Sequence, residues 1–125
     1  MRILYVENHP VFATNVTHKF LANHSVTVVP SLSAACQALA TLSFNLLLID
    51  YDLDDRKGDA LVREVRASGQ RILTIGVSSH EEGNAALKRA GADATCSKMN
   101  FDQIQSIIES LQRSPQKVTK NSTEP

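Results

Sequence analysis

The chain has 125 residues, 13 Lys plus Arg against 13 Asp plus Glu, no formal net charge and a hydrophobic share of 42%. That length buries one core rather than two, and neutrality gives no electrostatic ground for nucleic acid or an anionic membrane as partner. Cys36 and Cys96 lie far apart without C-x-x-C spacing, which reads as two small buried hydrophobes of a reducing compartment. The opening MRILYVENHP turns polar within seven residues and no run approaches membrane-span length, so the expected location is cytoplasmic.

In chain order, the first strand is predicted at residues 3–6. Phe12, Val16 and Phe20 then recur by fours behind Pro10, a residue tolerated in a first helical turn. A β-branched run at 25–29 gives the second strand, and Leu32, Cys36 and Leu39 the second helical stripe. NLLLI at 45–49 is apolar on every side, as a strand covered on both faces must be. Leu61, Val62 and Val65 mark a third helix stopped by Gly69, and RILTIGV at 71–77 a fourth strand. Leu87 and Ala90 mark a fourth helix ending at Gly91, and 94–97 a weak fifth strand. Ile104, Ile107, Ile108 and Leu111 form the clearest amphipathic helix. The expected domain is 1–113, and 114–125 reads as a disordered tail or the start of a linker.

Five strands alternating with five helices imply an α/β, doubly wound parallel sheet with right-handed crossovers. The flavodoxin-like order 2-1-3-4-5 suits the length, and such sheets bind ligands where the strand order reverses, at the carboxyl rim. Glu7 and Asn8 follow the first strand; Asp50, Tyr51 and Asp52 follow the third; Ser78 and Ser79 end the fourth; Lys98 ends the fifth. Carboxylates, an amide, hydroxyls and one ammonium on one rim suit a hard divalent cation, Mg²⁺ first, beside a phosphoryl group. Asp50, Asp52 and Asp54 alternate as in a calcium loop, but Asp55 and Leu61 fill the positions needing Gly and Glu, which excludes an EF-hand.

The set YVEN, LLLIDYDL, GVSS and CSKM, each at a strand end, resembles the receiver domains of two-component response regulators over about residues 1–113. The resemblance implies Asp50 as phosphoacceptor, with Ser78, Ser79 and Lys98 binding the phosphate and Glu7, Asn8, Asp50 and Asp52 at the metal positions. It implies a sensor histidine kinase or histidine phosphotransfer protein as donor and a downstream protein as target, leaves room for a homodimer, and implies neither direct nucleic-acid nor membrane binding. Gly58 matches the glycine that closes the acceptor loop.

The departures are specific. Glu7 and Asn8 replace the usual pair of aspartates, which predicts weaker Mg²⁺ binding. Leu53 and Asp54 replace Met-Pro, which predicts a less rigid acceptor loop, and Met99 replaces the proline after the lysine. Thr95 stands at the aromatic switch position, and a shortened 78–91 segment predicts a clipped fourth helix. Asp52 is expected to face the phosphoryl group and tune its lifetime. His9, His18, His24 and His80 show no ligand spacing and read as surface or capping residues; Arg56, Lys57, Arg63 and Arg66 read as a solvated basic stripe. Two other readings compete: a degenerate receiver that binds partners without phosphate, and a haloacid-dehalogenase-type phosphatase suggested by D-x-D at Asp50 and Asp52. The second lacks the further acidic pair that family carries.

Overall fold

The computed structural model describes residues 1–113, so the 114–125 reading lies outside the described residues. The elements are β1 (Arg2–Val6), α1 (Pro10–Phe20), β2 (Ser25–Val29), α2 (Leu32–Thr41), β3 (Leu46–Ile49), α3 (Gly58–Ala67), β4 (Leu73–Ser78), α4 (Glu81–Ala90) and β5 (Ala94–Ser97). A 3₁₀ segment at Lys98–Gln103 then leads into α5 (Ile104–Arg113). All strand pairs are parallel, in the order β2-β1-β3-β4-β5.

Side chains on a strand alternate faces, so each central strand feeds two cores. Ile3, Tyr5, Leu46, Leu48, Ile75 and Val77 meet Ala13 and Val16 of α1 and Ile104 and Ile108 of α5. Leu4, Val6, Leu47 and Ile49 meet Leu32 of α2, Leu61, Val62 and Val65 of α3, and Leu87 of α4. Helices on both faces explain why β1 and β3 are almost wholly apolar. Gly76 of β4 is needed where α4 comes down on the sheet, since a Cβ there would lie 2.8 Å from a Leu87 methyl.

Most strand ends fall within one residue of the sequence expectation, and two elements depart further. β4 begins at Leu73, the residue paired with the first position of β3, so Arg71 and Ile72 precede it. The fourth helix is not clipped: α4 has 10 residues, as α2 and α3 do. The basic stripe also resolves unevenly. Arg56, Lys57 and Arg63 make exposed pairs with Glu64, Asp52 and Asp59. Arg66 instead donates to the Gly91 carbonyl at 2.9 Å, the Ile72 carbonyl at 3.0 Å and Asp93 Oδ2 at 2.9 Å. It ties α3 to the start of β4 and to the turn before β5. Cys36 is half-buried rather than buried, its thiol directed to Glu64. Among the described residues no helix is long and apolar enough to cross a membrane.

Candidate functional site

The parallel ladder continues one residue beyond β1 and β3. Glu7 donates its backbone N–H to the Val29 carbonyl at 2.9 Å, and Asp50 donates to the Val6 carbonyl at 3.0 Å. Both carboxylates therefore stand at adjacent strand ends, where the connections from β1 and β3 leave toward opposite faces of the sheet. Both are buried, Glu7 at 1% exposure and Asp50 at 4%.

Lys98 reaches back from the end of β5 to join them. Its ammonium lies 3.0 Å from Asp50 Oδ2 and 2.9 Å from Glu7 Oε1. The same ammonium sits 5.0 Å from the centre of the Phe12 ring, a cation–π contact that closes the α1 side. Asp50 Oδ1 accepts the Tyr51 N–H at 2.8 Å, and the Tyr5 hydroxyl donates to Glu7 Oε1 at 3.3 Å.

The charges set one another's proton affinity. Burial and then the Glu7 charge raise the Asp50 carboxyl above its ordinary pKa, against the pull of Lys98 and the Tyr51 N–H. Burial works against the Lys98 ammonium, yet hydrogen bonds to Glu7 and Asp50 hold its pKa above the usual lysine value. Burial, then Glu7 and Asp50, push the Tyr5 phenol far up, so it remains a donor. With two carboxylates and one ammonium ionised, the cluster carries one net negative charge.

Ser78 is buried at the end of β4, and its Oγ accepts the His80 N–H at 3.1 Å; Ser79 beside it is exposed. Gly83 of α4 makes this packing: a Cβ there would overlap Ser78 Oγ and come within 3.0 Å of Tyr51 Cβ. Asn84 donates to the Ser78 carbonyl at 3.4 Å and the Cys96 carbonyl at 3.3 Å, joining α4 to both strand ends. Thr95 sits on β5 opposite Gly76, half-buried, at a cleft of about 270 Å³ shared with Asn100, Gln103 and Ile107.

The loop after β3 is held at several points. Gly58 donates its N–H to the Tyr51 carbonyl at 2.6 Å, and a Cβ at Gly58 would overlap the Asp50 carbonyl oxygen. Asp55 accepts the Leu32 N–H at 3.0 Å and the Ser33 N–H at 3.1 Å, capping α2, and those bonds lower its carboxyl pKa. Asp52 does not turn to the pocket as expected. It is exposed and pairs with Lys57, whose ammonium lies 5.2 Å from the Tyr51 ring centre.

Three residues matter more than the sequence suggested: His9, Gly83 and Asn84. His9 Nδ1 lies 2.8 Å from Glu7 Oε2, and its backbone N–H donates to the same oxygen at 3.1 Å. A residue before proline is held extended, here at φ −108° and ψ 93°, so residue 9 can turn back onto residue 7. The E-x-H-P spacing was the available signal. No sequence pattern marks Gly83 or Asn84.

Glu7, His9 and Asp50 each offer one ligand atom, all within 4.8 Å of one another. Asn8 donates its amide N–H to Asp54 Oδ1 at 3.0 Å, while its own Oδ1 is buried and unpartnered among the described residues. The two carboxylates, followed in sequence by a residue with an orphaned amide oxygen, are oxygen donors of the kind a hard divalent cation takes.

A family model for the response regulator receiver domain matches residues 3–109. The chain belongs to that family, the receiver domains of two-component signalling. No curated protein matches the sequence. Among solved structures, the chain resembles the receiver domain protein (CheY-like) from Methanospirillum hungatei JF-1, with 23% identity, TM-score 0.76, and 89% of this chain and 93% of that one covered. It resembles the response regulator TrrA from Thermotoga maritima, solved in complex with Mg²⁺-BeF, with 18% identity, TM-score 0.79, and coverage of 88% and 97%. It also resembles the Mn²⁺-bound form of the response regulator Rcp1, with 19% identity, TM-score 0.73, and coverage of 91% and 96%. At these identities the likeness establishes the fold alone.

Proposed function

We propose that this receiver domain accepts a phosphoryl group on Asp50 from a phosphohistidine of a sensor kinase or phosphotransfer protein and relays that event to a protein partner. The observation that carries the reading is the Asp50 carboxylate at the carboxyl rim of the central strand with the Lys98 ammonium 3.0 Å away. In the transfer an Asp50 carboxylate oxygen forms the new P–O bond as the donor's P–N bond breaks, and the released imidazole takes a proton from solvent. Lys98 balances charge on the incoming group, and Ser78 offers a hydroxyl once its side chain turns from the His80 N–H.

Glu7, Asn8 and Asp50 would hold a divalent cation such as Mg²⁺, whose chemistry is to screen the repulsion between carboxylate and phosphoryl oxygens. Asn8 in place of a carboxylate removes one charge and weakens that hold. The switch is a population shift, with phosphate binding one arrangement of Lys98 and Ser78 better than the other. Residues 1–113 are the unit proposed to do this. Ser79 is exposed beside the pocket, where its small side chain leaves the phosphate room. Asp52 would contribute through its backbone, its carboxylate being paired with Lys57.

The test is intact mass after incubation with Mg²⁺ and a small phosphodonor, with Asp50→Asn as control. One added phosphate that the variant lacks supports the reading. No adduct with any donor would instead favour a binding module that works without phosphate, and sustained phosphate release over many turnovers would favour a phosphatase.

A further inference from the structure

We propose that His9 is a nitrogen ligand of the cation held at Asp50, and that it makes this pocket prefer a first-row transition dication to Mg²⁺. The inference rests on the reading of the pocket as a cation-assisted phosphoacceptor site, and it assigns that site a selectivity.

His9 is not a free surface side chain. It is the residue before α1, extended at φ −108° and ψ 93°, and Pro10 follows it. Its ring nitrogen Nδ1 and its backbone N–H both meet Glu7 Oε2, at 2.8 and 3.1 Å. That carboxylate is itself buried, so the ring is anchored at the edge of the pocket. The ligand atoms of Glu7, His9 and Asp50 already fall within 4.8 Å of one another, a spacing that one ion can span.

Without an ion, Nδ1 carries its hydrogen toward Glu7. Coordination needs the other neutral tautomer, with the hydrogen on Nε2 and the Nδ1 lone pair free. The His9 side chain is 63% exposed, so water can solvate the N–H in its new place and the change costs little.

The neighbouring residues sharpen the selectivity. Mg²⁺ binds through charge, favours oxygen ligands and sheds water reluctantly. Here the residue after Glu7 is the neutral Asn8, and Lys98 already offsets one of the two buried carboxylates, so the charge that draws Mg²⁺ is reduced. An imidazole nitrogen adds little for Mg²⁺ but suits the later first-row ions. The same substitutions that weaken an oxygen-only site leave His9 as the donor that distinguishes between ions.

The experiment uses the full chain with Co²⁺ and Mg²⁺ as probes. Co²⁺ binding is read by visible absorption and by the hyperfine-shifted imidazole N–H resonance in proton NMR, and Mg²⁺ by its displacement of Co²⁺. His9→Gln, at an exposed side chain, is compared with the parent and with Asp50→Asn. The expected result is that His9→Gln weakens Co²⁺ binding by about tenfold or more and removes the shifted resonance, with Mg²⁺ affinity changed by less than about twofold. Unchanged Co²⁺ affinity and resonance in His9→Gln overturn the ligand role, and the pocket still stands if Asp50→Asn loses the ion. An equal loss of both ions in His9→Gln also overturns it, since His9 would then act only by orienting Glu7. If the parent binds neither ion in a way that Asp50→Asn abolishes, the cation pocket fails and the selectivity with it.

Discussion

Replacing Lys98 with methionine keeps the aliphatic stem and deletes the charge that Glu7 and Asp50 share. The ammonium lies 2.9 Å from one carboxylate and 3.0 Å from the other. At an effective dielectric of about 20 each contact is worth about 5 kcal/mol of Coulomb attraction before desolvation. Desolvation cancels much of this, and deleting one partner of a buried pair costs about 3–5 kcal/mol because the other charge stays buried. A domain holds about 5–15 kcal/mol in all, so Lys98→Met should remove a large part of it.

The dependence on pH identifies the cause. Asp50 has a raised carboxyl pKa in the fold, so as pH falls the folded state takes up this proton before the unfolded chain does. Its effect on stability is therefore most favourable in acid, and declines as pH rises from the ordinary carboxylate value through the raised one. Without Lys98 the carboxyl rises further. The deficit should be full in mildly alkaline solution and shrink toward acid, as a proton replaces the missing charge. Lys98 itself, with its pKa raised, contributes fully below the usual lysine value and loses that contribution only as pH rises through its folded value. The chain has no Trp, so urea unfolding followed by far-ultraviolet circular dichroism is the suitable assay. A Lys98→Met variant within about 0.5 kcal/mol of the parent at the higher pH, or a deficit that does not change with pH, would refute the argument.

Three further outcomes are expected. Gly83→Ala should lower the melting temperature by an amount equivalent to about 1–3 kcal/mol, because the Cβ overlap with Ser78 exceeds the helix-propensity gain of about 1 kcal/mol; a stabilised variant would contradict the packing. Arg66→Ala should cost about 1–3 kcal/mol in denaturant unfolding by removing the hydrogen bonds to the Gly91 and Ile72 carbonyls and the pair with Asp93, although Thr74 still donates to Ile72 and Asp93, whereas Arg56→Ala should stay within about 0.5 kcal/mol. Equal effects would refute the distinction. Asp50→Asn should be more stable than the parent at about pH 7, since it removes a buried anion whose ionisation the fold opposes; a loss of stability at that pH in denaturant unfolding would show that Lys98 more than offsets burial and Glu7.

Much of the fold was legible because apolar periodicity is a local property. NLLLI reads as a central strand because both its faces are covered, and the four-residue spacing of Phe12, Val16 and Phe20 reads as α1 because one face is. The start of β4 was misplaced because Ile72 is apolar and buried yet lies outside the ladder, whose extent depends on where β3 begins. Arg66 reads as a solvated residue in sequence because its partners lie 6 to 27 positions away, beyond any helical spacing. In the loop after Asp50 the absence of Met-Pro is visible in sequence, whereas the tie from Asp55 to α2 is not, because it spans 22 to 23 positions.

Alternating apolar runs and amphipathic helices by themselves determined the doubly wound sheet, and with it the rim on which Glu7, Asp50, Ser78 and Lys98 meet. Two-faced burial calls for a parallel sheet covered by helices, and burial is written residue by residue; the order 2-1-3-4-5 is the doubly wound arrangement that suits this length. Which charge pairs with which was decided only by the tertiary structure. Lys98 reaches both Glu7 and Asp50 across 91 and 48 positions, His9 turns onto Glu7, and Asp52 turns away to Lys57. Side chains of this reach choose among partners by ångström-scale differences in packing, which residue type and spacing do not encode.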